Sequence, residues 1–265
     1  MVVFPNAKIN LGLHILSKRQ DGFHNLESVM APIGWKDILE IIPSKRFSFQ
    51  QTGLGIDGRA EDNLVVKAYH AVKELFDIPP VQIHLHKVIP MGAGLGGGSS
   101  DAAFAIRVLK ELFQLDMSVA EMESAAARLG SDCPFFIQSK PALATGTGTE
   151  LHTLDHELRS LFCVVAVPNL HVSTKEAYQG IVPQSRSHSL EAEYQNDPAD
   201  WTFTNDFEAS IFPGHPEIAD LKNQLIASGA VYASMSGSGS SVFGLFRKAV
   251  DLDLSDQQWS GWIHL

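Results

Sequence analysis

The alternation of apolar and polar positions is strictest near the start of the chain. In Val2 to Leu16, VVFPNAKINLGLHIL, residues Ile9, Leu11, Leu13 and Ile15 fall on one face and Asn10, Gly12 and His14 on the other. A period of two predicts a half-buried strand, and it puts Lys8 on the face of Asn10. Ser17 to Asn25 is polar and holds the turn dipeptide Asp21-Gly22. Glu27 to Ile42 reads as further strand, with Asp37 in a turn. Phe47 to Asp57, polar and broken by glycine, has the composition of an edge hairpin. The period then changes. Leu64, Ala68, Ala71, Val72 and Leu75 recur at helical spacing over Asn63 to Phe76, with Asp62 or Asn63 as cap. Pro79-Pro80 stops the helix, and Val81 to Val88 returns to strand.

Past residue 100 helical spacing dominates. Ala102, Ile106, Leu109 and Phe113 make a core-facing stripe and predict a helix over Asp101 to Phe113. Ser118 with Glu121 forms a capping box for a second helix reaching Leu129, and Gly130 suits its end. Ser131-Asp132-Cys133-Pro134 marks another helix start. Pro141 to Thr149 reads as a small strand or turn, and Leu161 to Val167 as an apolar strand. Ser173 and Thr174 cap a short helix, Lys175 to Tyr178. Pro183 to Asp200 is polar and reads as a surface loop or domain seam. Asn205 to Glu208 opens a short helical segment, and Pro216 to Ser228 is a helix. Val242 to Phe246 is a strand, and Asp253 to Leu265 shows no clear pattern. There is no internal repeat and no coiled-coil heptad.

Composition narrows the class. With 265 residues, 45% apolar and 19% charged, the chain reads as a globular protein of one large or two small domains. Its net charge of −10 argues against a nucleic-acid surface. Two cysteines, Cys133 and Cys163, offer neither a disulfide framework nor zinc spacing. No apolar run reaches transmembrane length, and the start lacks a signal peptide's basic and apolar regions. The expectation is a cytoplasmic protein without membrane or nucleic-acid partners.

The candidate chemistry centres on Pro90 to Ala103, PMGAGLGGGSSDAA. Gly92, Gly94, Gly96, Gly97 and Gly98 crowd into seven positions, followed by Ser99 and Ser100. A glycine-rich loop between a strand and a helix presents free N–H groups and the positive helix end, which suits phosphate. A turn alone needs one or two glycines. Gly92 and Gly97 have P-loop spacing, but Gly98 stands where that motif requires lysine. Gly92, Gly94 and Gly97 match the dinucleotide pattern. The two helices that follow leave no place for its second strand, so that reading is rejected.

Three other places carry candidates on which two readings stand side by side. Phe23 and His24 pair an aromatic with a two-faced hydrogen-bonder, which suits stacking on a base and reading it. They equally suit a hairpin with an anchoring Phe. Asp132 is either a helix cap or an active carboxylate. Met235 to Ser241, MSGSGSS, is either a second loop that approaches phosphate or a simple hairpin.

The form P-x-G-x-G-L-G-x-x-S-S resembles the nucleotide loop of the GHMP kinases. Further pieces follow in that family's order: AKINLGLHIL at Ala7, RQDGFH at Arg19, GSDCPFF at Gly130, VSTKEAY at Val172, NDFE at Asn205 and MSGSGSSVFG at Met235. Together they span about residues 6 to 244. AKINLGLHIL, RQDGFH and GSDCPFF resemble one branch, whose acceptor is a cytidyl-diphosphate methylerythritol, phosphorylated on its 2-hydroxyl for isoprenoid synthesis. The resemblance implies an α+β GHMP kinase fold, with a domain like ribosomal protein S5 domain 2 over residues 1–155 and a ferredoxin-like domain over 156–265. It assigns Lys8 and Asp132 as the catalytic pair, and Asn10 and Thr174 to the methylerythritol. Phe23 and His24 go to the cytosine, and Asn63 and Lys87 to the adenine. Pro90, Gly92, Gly94, Leu95, Gly96, Gly97, Gly98, Ser99 and Ser100 go to ATP, with Ser100 also on Mg²⁺. Gly237, Ser238 and Gly239 close over the triphosphate. One departure stands out: Phe23 occupies a position where tyrosine is common, which keeps stacking and loses a phenolic hydrogen bond. The expected assembly is a monomer or weak homodimer. Homoserine or mevalonate kinases are the nearest rival reading, and RQDGFH opposes it because those acceptors carry no base. A silent nucleotide-binding protein on the same fold is a second rival, opposed by the presence of both Lys8 and Asp132.

Overall fold

The computed structural model describes residues 1–55, 58–155, 158, 161–186, 189–252, 254 and, for the backbone, 259–264. In chain order its elements are β1 (Val2–Val3), β2 (Asn6–Lys18), β3 (His24–Lys36), β4 (Ile38–Pro43), β5 (Ser48–Gly53), α1 (Leu64–Phe76), β6 (Val81–Lys87), α2 (Gly97–Leu112), α3 (Val119–Ala127) and α4 (Phe135–Gln138). Then come β7 (Ala142–Thr145), β8 (Glu150–Thr153), β9 (Phe162–Val167), α5 (Thr174–Tyr178), α6 (Leu190–Tyr194), α7 (Phe207–Ile211), α8 (Pro216–Ala227), β10 (Tyr232–Met235), β11 (Val242–Phe246) and β12 (Trp259–His264). Contacts divide the chain into two compact units. The first holds Met1–Ala7, Trp35–Met91 and Gly96–Ser139, and the second Lys8–Gly34, Gly92–Leu95 and Lys140–Leu265.

The first unit is built on the sheet β1-β4-β6-β5, with β5 parallel to β6 and the other pairs antiparallel. Parallel neighbours need a crossover, and α1 supplies it. Asn63 caps α1 by accepting the Val65 N–H at 2.9 Å, a contact worth about 1 kcal/mol. The buried face of α1 is Val65, Val66, Ala68, Tyr69 and Val72, rotated from the expected stripe, so that Leu75 is exposed. Tyr69 turns this face: fully buried, it stacks on Phe47 at 4.8 Å. Helix α2 buries Ala102, Ile106 and Leu109 as the spacing predicts. Helix α3 begins with both halves of the Ser118–Glu121 capping box. Of the hairpin expected over Phe47 to Asp57, one strand, β5, is present, and Ile56 and Asp57 lie outside the described residues.

The second unit holds two sheets. In β2-β3-β7-β8, the first two strands are 13 residues each, and β7 and β8 form a hairpin whose first strand and turn are the stretch Pro141 to Thr149. The other sheet has the order β10-β11-β9-β12, all antiparallel. Counting strands from β9, that is second, third, first, fourth, the strand order of a ferredoxin-like unit, with no helix between β11 and β12 among the described residues. Helix α8 turns Ile218, Leu221 and Leu225 inward, joining Val164, Ala166, Val242 and Phe246 in the core. The polar stretch Pro183 to Asp200 is not only surface loop. It contains α6, whose Leu190 and Tyr194 are fully buried; its Ser187 and His188 lie outside the described residues.

Candidate active site

The first unit carries the helix end of the glycine loop. Helix α2 starts at Gly97, four residues before the predicted start at Asp101, and its N-cap Gly96 is left-handed at φ 70° with no side-chain cap. The first-turn N–H groups and the positive helix end therefore face a ligand position rather than a capping side chain. Two oxygens in that turn, Ser100 Oγ and Asp101 Oδ1, are buried without a hydrogen-bond partner among the described residues. Ser99 bonds the buried Cys133 thiol, whose pKa burial pushes up to about 11.

Beneath the loop lies an enclosed ion cluster. Lys87 Nζ pairs with Asp37 and, at 2.9 Å, with Asp101. Asp37 Oδ1 also accepts the N–H groups of Val88 at 2.5 Å and Ile89 at 2.8 Å. Burial raises the Asp101 carboxyl to about 7, against the pull of Lys87 and with the push of Asp37. A Cβ on Gly97 would stand 2.8 Å from Lys87 Nζ, so only glycine leaves room for the ammonium. Lys87, expected beside the adenine, has no exposed side-chain surface. Asn63 does line a cavity of about 550 Å³, together with Leu64, Met91, Gly98 and Asp101. Pro90 is buried, three residues beyond the end of β6.

Asp132 sits half-buried in the turn before α4. The N-cap of α4 is Pro134, whose own side chain makes no cap hydrogen bond.

The second unit gathers the other pieces. Lys8 is 3% exposed; its Nζ donates to Asn10 Oδ1 at 2.5 Å and to the Gly94 carbonyl at 3.0 Å. Asn10 Nδ2 donates to Ser28 Oγ, which donates to the Gly12 carbonyl. The Leu95 carbonyl accepts the Lys8 N–H. Both glycine loops meet this group. Ser236 Oγ donates to the Gly94 carbonyl at 2.9 Å, and Ser241 Oγ to the Ala93 carbonyl at 2.5 Å. A Cβ on Gly94 (φ 77°) would lie 1.9 Å from the Ser236 carbonyl oxygen. One on Gly237 would lie 3.3 Å from Asn10 Oδ1 and 3.4 Å from Lys8 Nζ. Gly92 faces His171. Thr174, the first residue of α5, places Oγ1 3.4 Å from Ser238 Oγ, next to Gly239.

Phe23 and His24 part company. Phe23 is 65% exposed, in a turn closed by the Arg19 N–H on its carbonyl and by Arg19 paired with Asp21. The Arg19 guanidinium holds the Asp21 carboxyl below its usual range. His24 stacks on Tyr178 at 4.9 Å, and Tyr178 meets Phe207 edge-on. Sequence reasoning passes over Tyr178 and Ser236. The signal for Tyr178 is its place four residues beyond Thr174 on one helical face; Ser236 has no signal beyond its motif.

Family models match this chain twice: the GHMP kinases N terminal domain at residues 63–140 and the GHMP kinases C terminal domain at 190–255. A 4-diphosphocytidyl-2-C-methyl-D-erythritol kinase of Parabacteroides distasonis is 48% identical over 94% of this chain and 92% of its own. One of Bacteroides thetaiotaomicron is 48% identical over 97% and 96%. The chain belongs to the 4-diphosphocytidyl-2-C-methyl-D-erythritol kinases, a branch of the GHMP kinases. A crystal structure of a 4-(cytidine 5'-diphospho)-2C-methyl-D-erythritol kinase matches with a TM-score of 0.80 and 30% identity, over 100% of this chain and 99% of that one. The homoserine kinase of Cytophaga hutchinsonii, 20% identical with a TM-score of 0.65 over 92% of this chain and 84% of its own, shares the fold. As a GHMP kinase the chain takes ATP as its phosphate donor.

Proposed function

We propose that the chain transfers the γ-phosphoryl group of ATP to the 2-hydroxyl of 4-diphosphocytidyl-2-C-methyl-D-erythritol, in isoprenoid precursor synthesis. The observation that supports this most is the convergence of Lys8 Nζ, Asn10 Oδ1, the Gly94 carbonyl and Gly237 within hydrogen-bonding or contact reach. An ammonium held against two glycine loops is what a transferring phosphoryl group requires, since this chemistry depends on position and charge rather than on covalent catalysis.

The uncapped start of α2 fits a triphosphate, and Gly94 to Ser100 hold it there. The orphaned Ser100 oxygen fits Mg²⁺, which typically keeps few protein ligands beside phosphates and waters. Bound together, ATP and Mg²⁺ supply an electrophilic phosphorus with its charge partly neutralised. Asp132 accepts the proton of the acceptor hydroxyl. Lys8 stabilises the negative charge that develops. Asn10 and Thr174 orient the methylerythritol, Phe23 stacks on the cytosine and His24 reads it. Asn63 lies at the adenine, and Gly237 to Gly239 close over the phosphates. Residues 1–155 make the N-terminal, ATP-binding domain and 156–265 the C-terminal domain. The enzyme works in the cytoplasm as a monomer or weak homodimer, and among the described residues no helix is long and apolar enough to cross a membrane.

ATP consumption with Mg²⁺ tests this against three acceptors: the cytidyl-diphosphate methylerythritol, mevalonate and homoserine. Turnover confined to the first is expected. Turnover with another acceptor removes Phe23 and His24 from the reading. ATP binding without turnover on any acceptor favours a regulatory protein.

A further inference from the structure

The motif Asn205-Asp206-Phe207-Glu208 has no part in the chemistry above, yet its first residue is 2% exposed and fully engaged. Asn205 Nδ2 donates to the carbonyls of Met235 and Gly237, both at 2.8 Å, and its Oδ1 accepts the Phe207 N–H at 3.0 Å, starting α7. Glu208 adds a second clasp: its Oε1 accepts the Met235 N–H at 2.9 Å and the Ser234 hydroxyl at 3.0 Å. The motif is in turn tied to β2. The Asp206 N–H donates to the Leu13 carbonyl, and the Ile15 N–H to Asp206 Oδ2, both at 2.8 Å. Strand β2 is the one that carries Lys8 and Asn10.

We infer that Asn205 is a positioning residue for the transfer, a bracket that fixes the Met235–Gly237 turn against the strand bearing Lys8. This rests on the proposed kinase reading and extends it. The connection runs in short steps. Asn205 holds the carbonyls on either side of Ser236. Ser236 Oγ accepts the Asn10 N–H and donates to the Gly94 carbonyl, and that carbonyl accepts Lys8 Nζ. Asparagine suits the task because one side chain must give two N–H bonds and accept one, in a place where a charge would be buried. A released turn lets Ser236 and Gly237 shift, and with them the ammonium and the loop over the phosphates. A misplacement on the order of 1 Å costs about 100-fold in such a reaction.

Asn205→Ser separates the bracket from the helix cap, because serine caps helices well but spans neither carbonyl. Asn205→Asp is the second variant: it keeps the acceptor for Phe207 and loses both donors. Two readouts are taken on each, hydrogen exchange at 235–241 and at 207–211, and kcat with KM for both substrates, beside the stoichiometry of acceptor binding by calorimetry. The expected result is exchange faster by about tenfold at 235–241 and unchanged at 207–211. With it kcat falls by about tenfold or more, while acceptor KM and binding stoichiometry stay near wild type. A kcat that falls only in proportion to stoichiometry overturns the inference, because the residue then merely supports folding. So does a kcat within twofold of wild type, or unchanged exchange at 235–241. If wild type itself phosphorylates no acceptor, the kinase reading fails, and the exchange measurement still decides whether Asn205 holds the turn.

Discussion

A buried ammonium needs oxygen partners, and Lys8 has Asn10 Oδ1 and the Gly94 carbonyl among its own. Those oxygens hold the charge at one point, the placement that the proposed transfer needs. Asp132 is the complementary case, a half-buried carboxylate in the turn before α4. Asp132→Asn keeps the shape and removes the proposed base, so turnover should fall below detection while ATP affinity, read by calorimetry, stays within about twofold. Near-normal turnover would remove Asp132 as base. His14 carries a prediction of a different kind. Burial, helped by Arg186, lowers its pKa below the usual 6.5. The folded state therefore keeps it neutral while the unfolded chain protonates, so its contribution is present above about pH 6.5 and fades as pH falls toward the folded value. His14→Asn should flatten that acid limb of the melting temperature between about pH 5 and 7; an unchanged slope would place the loss elsewhere.

At the scale of elements, glycine placement decides the loop. Gly94 combines a φ of 77° with the Ser236 carbonyl 1.9 Å from where a Cβ would lie. Gly94→Ala should cost more than the roughly 1–2 kcal/mol of the left-handed conformation alone and lower kcat with it; urea unfolding and kinetics check both. Native stability and kcat would show that the two loops can part without consequence. Long, regular patterns are legible in the residue order alone: the two faces of β2, the stripe of α2 and the capping box of α3. Three elements are not, each for a physical reason. The first turn of α2 is Gly97-Gly98-Ser99-Ser100, poor helix formers that hide a helix start. Helix α6 has five residues and one buried i, i+4 pair, too few for a period to show. Strand β12 is defined by its pairing with β9, a distant partner that its own residue pattern does not signal. At the site, motifs point to Lys8, Asn10 and both loops, whereas the His24–Tyr178 stack and the Lys87 ion cluster depend on distant partners and leave no local mark.

For the whole molecule, charge and chemistry pull in opposite directions. The chain carries −10, and both proposed substrates are anions. Net charge therefore repels them, and attraction must come from local fields: the open start of α2, the loop N–H groups and Lys8. The two compact units do not follow chain order, since β2 and Gly92–Leu95 join the second while α2 stays in the first. Family models at 63–140 and 190–255 fall in separate stretches of the chain. The proposed reaction delivers phosphate to one hydroxyl, and the product reports it. The 2-position of a 2-C-methyl erythritol is a tertiary carbon bearing no hydrogen, so a phosphate there has no proton three bonds away to split its resonance. The ³¹P spectrum of the reaction with ATP, Mg²⁺ and the cytidyl-diphosphate methylerythritol should gain one phosphomonoester singlet, with the diphosphate signals of the acceptor retained. A doublet or triplet would put the phosphate on another hydroxyl, and no new signal with ATP intact would contradict the kinase reading itself.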